Sequence, residues 1–100
     1  METRHLYYAI CVVEHKSISK AAEALFISQP TLSQHINKLE QLLGCKIFDR
    51  NNIPLKLTYE GEVFIDMANK MLALEKELVY KSFYLLYKKS QYRLLLNVYI

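Results

Sequence analysis

The stretch "SISKAAEALFISQPTLSQHINKLE", Ser17 to Glu40, holds two short helical patterns, and neither buries enough apolar surface to stand alone. Ser17 or Ser19 can cap the first, whose apolar positions Ile18, Ala21, Ala22 and Leu25 follow the spacing of one helical face. That face is mostly alanine, so another helix can come very close. Phe26 and Ile27 fill the short turn that follows, and Ser28 offers a hydroxyl to the free N–H groups of the next helix. Pro30 then falls in a first helical turn, where its missing N–H costs nothing. The second pattern predicts a helix from Gln29 to Leu43, with Leu32, Ile36, Leu39 and Leu43 inward and Gly44 ending it. Two helices joined by a turn of about three residues form a helix-turn-helix unit, here over about residues 18–37.

Upstream, Leu6, Ile10 and Val13 recur at steps of four and three, which predicts a helix running from Leu6 to about Lys16. Downstream, "KIFDRNNIPLKLT" has two short apolar-rich runs, Lys46 to Arg50 and Leu55 to Thr58, around the turn-forming Asn51, Asn52 and Pro54. A two-stranded hairpin, or wing, is expected over about residues 46–58. Thr58 can cap a long helix from Tyr59, over residues 59–89, in which Phe64, Met67, Met71, Leu74, Leu78 and Leu85 keep close to a seven-residue repeat. An apolar stripe on so long a helix needs a partner, and a second copy of the chain is the simplest. The tail "YRLLLNVYI" reads as a strand, so residues 90–100 are expected to be the first strand of a missing domain, the chain being a fragment or truncated product. The expected fold is mainly α: a winged helix-turn-helix of three helices and a two-stranded β wing over residues 1–58, followed by a long linker and dimerisation helix.

The totals agree with one small domain and an attached segment. Of 100 residues, 52% are hydrophobic and 23% charged, with two glycines and two prolines, which indicates a globular, helix-leaning chain. The net charge of +3 is spread evenly: seven Lys/Arg face five Asp/Glu up to residue 58, and six face five beyond it. With no cationic block, any nucleic-acid binding must come from where the charges sit. Two widely spaced cysteines, Cys11 and Cys45, suit a reducing cytosol. No leader pattern opens the chain, and charged residues interrupt each apolar run before it reaches bilayer length, so the expectation is a soluble cytoplasmic protein with no membrane contact.

The face of the Gln29–Leu43 helix that the core does not use carries the functional signal. With Leu32 at zero and about 100° per residue, the apolar stripe clusters near 10°, whereas Pro30, Gln34, Asn37 and Gln41 fall at roughly 140° to 200°. Lys38 and Thr31 flank them, and the first two turns hold no acid. Amides and hydroxyls on a slender face can reach base edges in a major groove, where Gln and Asn pair bidentately with adenine. The helix N-terminus adds free N–H groups and a positive dipole end for a phosphate.

The string "AAEALFISQPTLSQHINKLEQLLGCKIFDR", with "LT" and Gly61 following, resembles the N-terminal winged helix-turn-helix domain of the LysR-type transcriptional regulators. The residues that carry the resemblance are Ala21, Ala22, Ser28, Gln29, Pro30, Leu32, Ser33, Ile36, Leu39, Glu40, Leu43, Gly44, Ile47, Phe48, Arg50, Leu57, Thr58 and Gly61, and the match spans residues 4 to about 75 without a gap. The resemblance implies a bacterial-type dimer held by long linker helices, a recognition helix in the major groove, a wing on the backbone or minor groove, and a C-terminal domain that senses a small molecule, with higher oligomers once that domain is present. By position, Gln29, Pro30, Thr31, Ser33 and Gln34 are the implied recognition residues and Arg50 the wing's phosphate or minor-groove contact. Ser28, Asn37, Lys38, Asn51, Asn52 and Lys56 complete the expected DNA-binding set. This chain departs from the family pattern at Gln34, where a basic residue is frequent, and at Ile53, where a second wing arginine is frequent; Lys56, Asn51 and Asn52 are the residues able to compensate.

Other chemistries find less support. His5, His15, His35 and the two cysteines show neither C-x2-C nor H-x3-H spacing, so no metal site or cofactor is expected. Ser33 and His35, two apart on a helix, point to different faces, which argues against a nucleophile–base pair and against an enzyme. Tyr80, Phe83, Tyr84, Tyr87 and Tyr92 can stack single-stranded bases or, at helical spacing, pack an interface or hinge. The expected function is sequence-specific binding of dyad-symmetric double-stranded DNA by a homodimeric transcription regulator. The alternative is a truncated interaction protein that pairs through its linker helix with full-length relatives and blocks them.

Overall fold

Serine and threonine caps set the helix starts. In the computed structural model, which describes the backbone of residues 1–99 and the side chains of residues 1–96, the order is α1 (Thr3–His15), α2 (Ile18–Leu25), α3 (Gln29–Leu43), β1 (Phe48–Asp49), β2 (Lys56–Leu57) and α4 (Tyr59–Tyr99). Ser17 Oγ accepts from Lys20 N at 3.1 Å and Ser28 Oγ from Thr31 N at 3.2 Å, each satisfying a first-turn donor. Thr58 Oγ1 does the same for Gly61 N at 2.9 Å while donating to the Lys46 carbonyl at 2.6 Å, so one hydroxyl starts α4 and ties it to the wing. Gly44, at φ 75°, closes α3 in the left-handed conformation that glycine adopts at least cost.

The residues divide into two units, Met1–Asn69 and those from Lys70 onward. In the first, α1, α2 and α3 pack around Ala9, Val12, Ala21, Ala22, Leu32, Ile36 and Leu39, and Ile47, Phe48 and Ile65 complete the core. The alanine pair on α2 is fully buried, as its close approach to neighbouring helices requires. β1 and β2 pair antiparallel, Phe48 opposite Leu57 and Asp49 opposite Lys56, and Thr58 N donates to the Ile47 carbonyl at 2.9 Å to extend the wing's base. A side chain at Gly61 would overlap that Ile47 carbonyl, so glycine here permits the first turn of α4 to lie against the wing.

Four expectations need correction. On α1 the buried line is Leu6, Ala9 and Val12, with Ile10 and Val13 only partly buried, because the small Ala9 rather than a branched residue faces the neighbouring helices. On α3, Leu43 is 36% exposed at the last turn, and Glu40 takes the buried place, because its carboxylate has backbone N–H partners there. Phe26 does not fill its turn: it ends α2 at φ 58° and is 95% exposed, whereas Ile27 is partly buried. Residues 90–99 continue α4 instead of forming a strand. A helix satisfies its backbone groups within itself, and Leu94, Leu95 and Leu96 are good helix formers. Ile100, the last residue of that expected strand, lies outside the described residues.

From Lys70 onward α4 is held by local pairs: Glu77 with Lys81 at 2.7 Å, Tyr87 with Gln91 at 2.6 Å, and the Lys88 ammonium over the Tyr84 ring at 5.6 Å. Among the described residues, no helix is long and apolar enough to cross a membrane.

Candidate nucleic-acid interface

The outward face of α3 is built by elimination. Leu32, Ile36 and Leu39 anchor the helix in the core, so the side chains on the opposite side have no neighbour to bury them. Ser28, Gln29, Pro30, Thr31, Gln34, Asn37, Lys38 and Gln41 are exposed, and Ser33 is half-buried. The Ser28 hydroxyl donates to Thr31 Oγ1 at 2.7 Å, so these two side chains are ordered at the very start of the helix. No acid occupies the first turn. The arrangement presents an amide and hydroxyl surface, with the positive end of the helix dipole beside it, to any anionic rod with hydrogen-bonding edges.

Arg50 is held in place by its own chain. Its Nη2 donates to Glu40 Oε1 at 3.1 Å and to Asn37 Oδ1 at 2.9 Å, while Glu40 Oε2 accepts from Ile47 N at 2.7 Å and Phe48 N at 3.4 Å. Glu40 is 4% exposed, and a buried carboxylate is tolerable only with such partners. The Arg50 side chain keeps 38% of its surface in solvent, so part of the guanidinium still faces outward. Asn37, Glu40, Gln41, Gly44, Cys45, Lys46 and Arg50 together line an open polar recess of about 570 Å³ at the C-terminal end of α3. Sequence reasoning assigned Arg50 and Asn37 separately to DNA; the structure joins them, and it adds Glu40, which helical phase alone places beside the core stripe. The signal available was a lone acid next to that stripe with an arginine ten residues on.

At the wing tip, Asp49 organises the turn. Its Oδ1 accepts from Asn51 N at 3.1 Å and its Oδ2 from Asn52 Nδ2 at 2.7 Å, so the Asn52 amide is committed locally, and the Asn51 and Lys56 side chains are exposed. Ile53 stands 99% exposed between them and Pro54.

Two further pairings involve cysteine and histidine, one within a turn of α1 and one between α1 and α3. Cys11 and His15, four apart on α1, place Sγ and Nδ1 at 3.5 Å, and burial, with the Glu14 charge adding to it, holds the Cys11 thiol above its ordinary pKa. His5 on α1 and His35 on α3 place Nε2 and Nδ1 at 3.2 Å. Among the described residues no group of three or more His, Cys, Asp or Glu side chains gathers as metal ligands.

The pattern described as "Bacterial regulatory helix-turn-helix protein, lysR family" matches residues 3–62. The chain belongs to the lysR family. Among curated relatives, residues of this chain are 47% identical over 73 positions to the transcriptional regulator BenM of Acinetobacter baylyi, covering 73% of this chain and 24% of BenM. The regulator BudR of Klebsiella aerogenes is 45% identical over 74 positions, covering 74% of this chain and 52% of BudR. The chain therefore spans about a quarter to a half of these lysR-family relatives. Among solved structures, the BenM DNA-binding domain in complex with benA site 1 DNA superposes with a TM-score of 0.79 at 43% identity, covering 82% of this chain and 92% of that one. The CbnR DNA-binding domain in its DNA complex gives 0.77 at 33% identity, over 82% and 94%. Mainly helical architecture with a two-stranded wing and a long following helix is thus the lysR-family fold in this chain as in those structures.

Proposed function

We propose that this chain binds double-stranded DNA sequence-specifically as the DNA-binding part of a transcription regulator, with α3 in the major groove of each half of a dyad-symmetric site. The observation that carries the reading is the exposed, acid-free N-terminal face of α3, on which Gln29, Pro30, Thr31 and Gln34 stand free of the core. The crystallised DNA complexes of the BenM and CbnR domains support it by similarity. In this reading Gln29 and Gln34 contact base edges, Ser28, Thr31, Ser33 and Lys38 contact the backbone or flanking bases, and Asn51, Lys56 and the open side of Arg50 contact phosphates near the wing. Asn37 and Asn52 also serve as local braces, Asn37 Oδ1 accepting from Arg50 and Asn52 Nδ2 donating to Asp49, with the other atom of each amide left for DNA.

Two copies associate through α4, where Met67, Met71, Leu74, Leu78 and Leu85 are exposed and Phe64 is half-buried. The protein acts in the cytoplasm, on chromosomal DNA, without catalysis. Selection of duplexes from a random pool by the purified chain tests this reading directly. A palindromic consensus is expected, and Gln29→Ala or Gln34→Ala should reduce preference for it by about 1–3 kcal/mol per lost base contact. Equal loss on consensus and random DNA would remove the reading roles.

A further inference from the structure

His35 lies on the flank of α3 between the core stripe and the exposed face, and it meets α1. Its Nδ1 stands 3.2 Å from His5 Nε2, the two ring centroids are 5.1 Å apart at an interplanar angle of 41°, and the Tyr8 ring packs at 5.1 Å on the same imidazole. Both histidines are half-buried. A contact of this length between ring nitrogens requires one N–H and one lone pair. Protonating the donor ring at its far nitrogen keeps the bond; protonating both rings leaves two N–H groups and two positive charges face to face.

We propose that the His5–His35 hydrogen bond positions the recognition helix against α1, and that His35 thereby acts as a positioning residue that makes sequence discrimination by this chain pH-dependent. The inference rests on the DNA-binding reading above and adds its control by protons. The charges around the pair favour one proton, not two. Burial disfavours the charged form of His35 first, then His5, Arg4 and Lys38 add positive charge nearby, and Glu2 opposes them only in part, so its pKa lies below the ordinary 6.5. Glu2, Arg4 and His5 come from α1 or its start and Lys38 from α3, the two elements that meet at the pair. A histidine with a depressed folded-state pKa takes up its proton more readily unfolded. The stability it contributes is therefore present above pH 6.5 and is lost as pH falls below it.

General attraction between protonated histidines and phosphates strengthens binding to every duplex at low pH, so the discriminating quantity is a ratio. With the full chain and the duplex recovered by selection at pH 7.5, the ratio of affinity for that duplex to affinity for a random duplex should fall about three- to tenfold between pH 7.5 and 5.5, the size a single net hydrogen bond supports. His35→Gln, which keeps an uncharged hydrogen-bonding group, should leave the ratio nearly flat across the same range, as should His5→Gln. In parallel, NMR of the free chain should show amide signals of Gln29–Leu43 moving with the same midpoint as the His35 imidazole. A wild-type ratio that does not change with pH, or a slope that survives both glutamine variants, overturns the proposal. Recovery of no duplex at all would overturn the DNA-binding reading instead, and the NMR titration then decides the clasp by itself: α3 amides indifferent to the imidazole midpoint reject it.

Discussion

Glu40 shows how much one side chain can hold. Its two oxygens join the Arg50 guanidinium to the backbone N–H groups that open the wing, so α3 and the wing share a single buried carboxylate. Removing it strands donors that water reaches poorly. Glu40→Ala should cost about 2–3 kcal/mol of stability in urea unfolding, and Glu40→Gln less, because an amide oxygen still accepts one bond. Phe26 is the opposite case, a residue whose side chain contributes little to the fold. An aromatic group at φ 58° and 95% exposed bears left-handed backbone strain without burial in return. Phe26→Gly should raise stability by about 0.5–1 kcal/mol, after allowing for the entropy glycine loses on folding; a lower thermal midpoint would reject left-handed strain as the dominant effect at this position.

At the scale of elements, the wing and α4 meet through Thr58 and Gly61. The Thr58 hydroxyl bridges the Lys46 carbonyl and the first turn of α4, and Gly61 passes against the Ile47 carbonyl with no room for a side chain. Gly61→Ala should displace the start of α4 from the wing and destabilise by about 1–3 kcal/mol, the usual cost of overpacking, read as a shift in thermal midpoint together with changed wing amide signals. Arg50→Ala acts on two properties. It should weaken specific and random duplexes alike and flatten the salt dependence by about one counterion, and it should also lower stability, since Glu40 loses its guanidinium partner. Unchanged stability would show that the Glu40–Arg50 pair contributes nothing to holding the wing.

At the scale of the molecule, most of the exposed large apolar side chains among the described residues lie on α4. Met71, Leu74, Leu78 and Leu85 are each more than half exposed in the single chain, an arrangement that favours association in water. Met71→Glu together with Leu78→Glu should convert the proposed dimer to monomer in sedimentation while the Met1–Asn69 unit keeps its fold by NMR. Affinity for a palindromic duplex should then drop toward that for a half-site. A dimer that persists in this double variant places the interface elsewhere.

Much of this was legible in the residues, and the division has a physical cause. Caps at Ser17 or Ser19, of which the structure uses Ser17, and at Ser28 and Thr58, the glycine stop at Gly44 and the outward set Gln29, Pro30, Thr31 and Gln34 follow from local rules, because each depends on neighbours within a turn or two. The helical period likewise separates Leu32, Ile36 and Leu39 from the polar face of α3, though not the buried Glu40 from the exposed Leu43. What needed tertiary structure involves partners far apart in sequence: His5 with His35, Arg50 with Asn37 and Glu40, and Gly61 against Ile47. The tail went astray for the converse reason. β-branched and aromatic composition favours a strand only where a neighbouring strand takes its hydrogen bonds, whereas Leu94, Leu95 and Leu96 favour helix, in which the backbone satisfies itself.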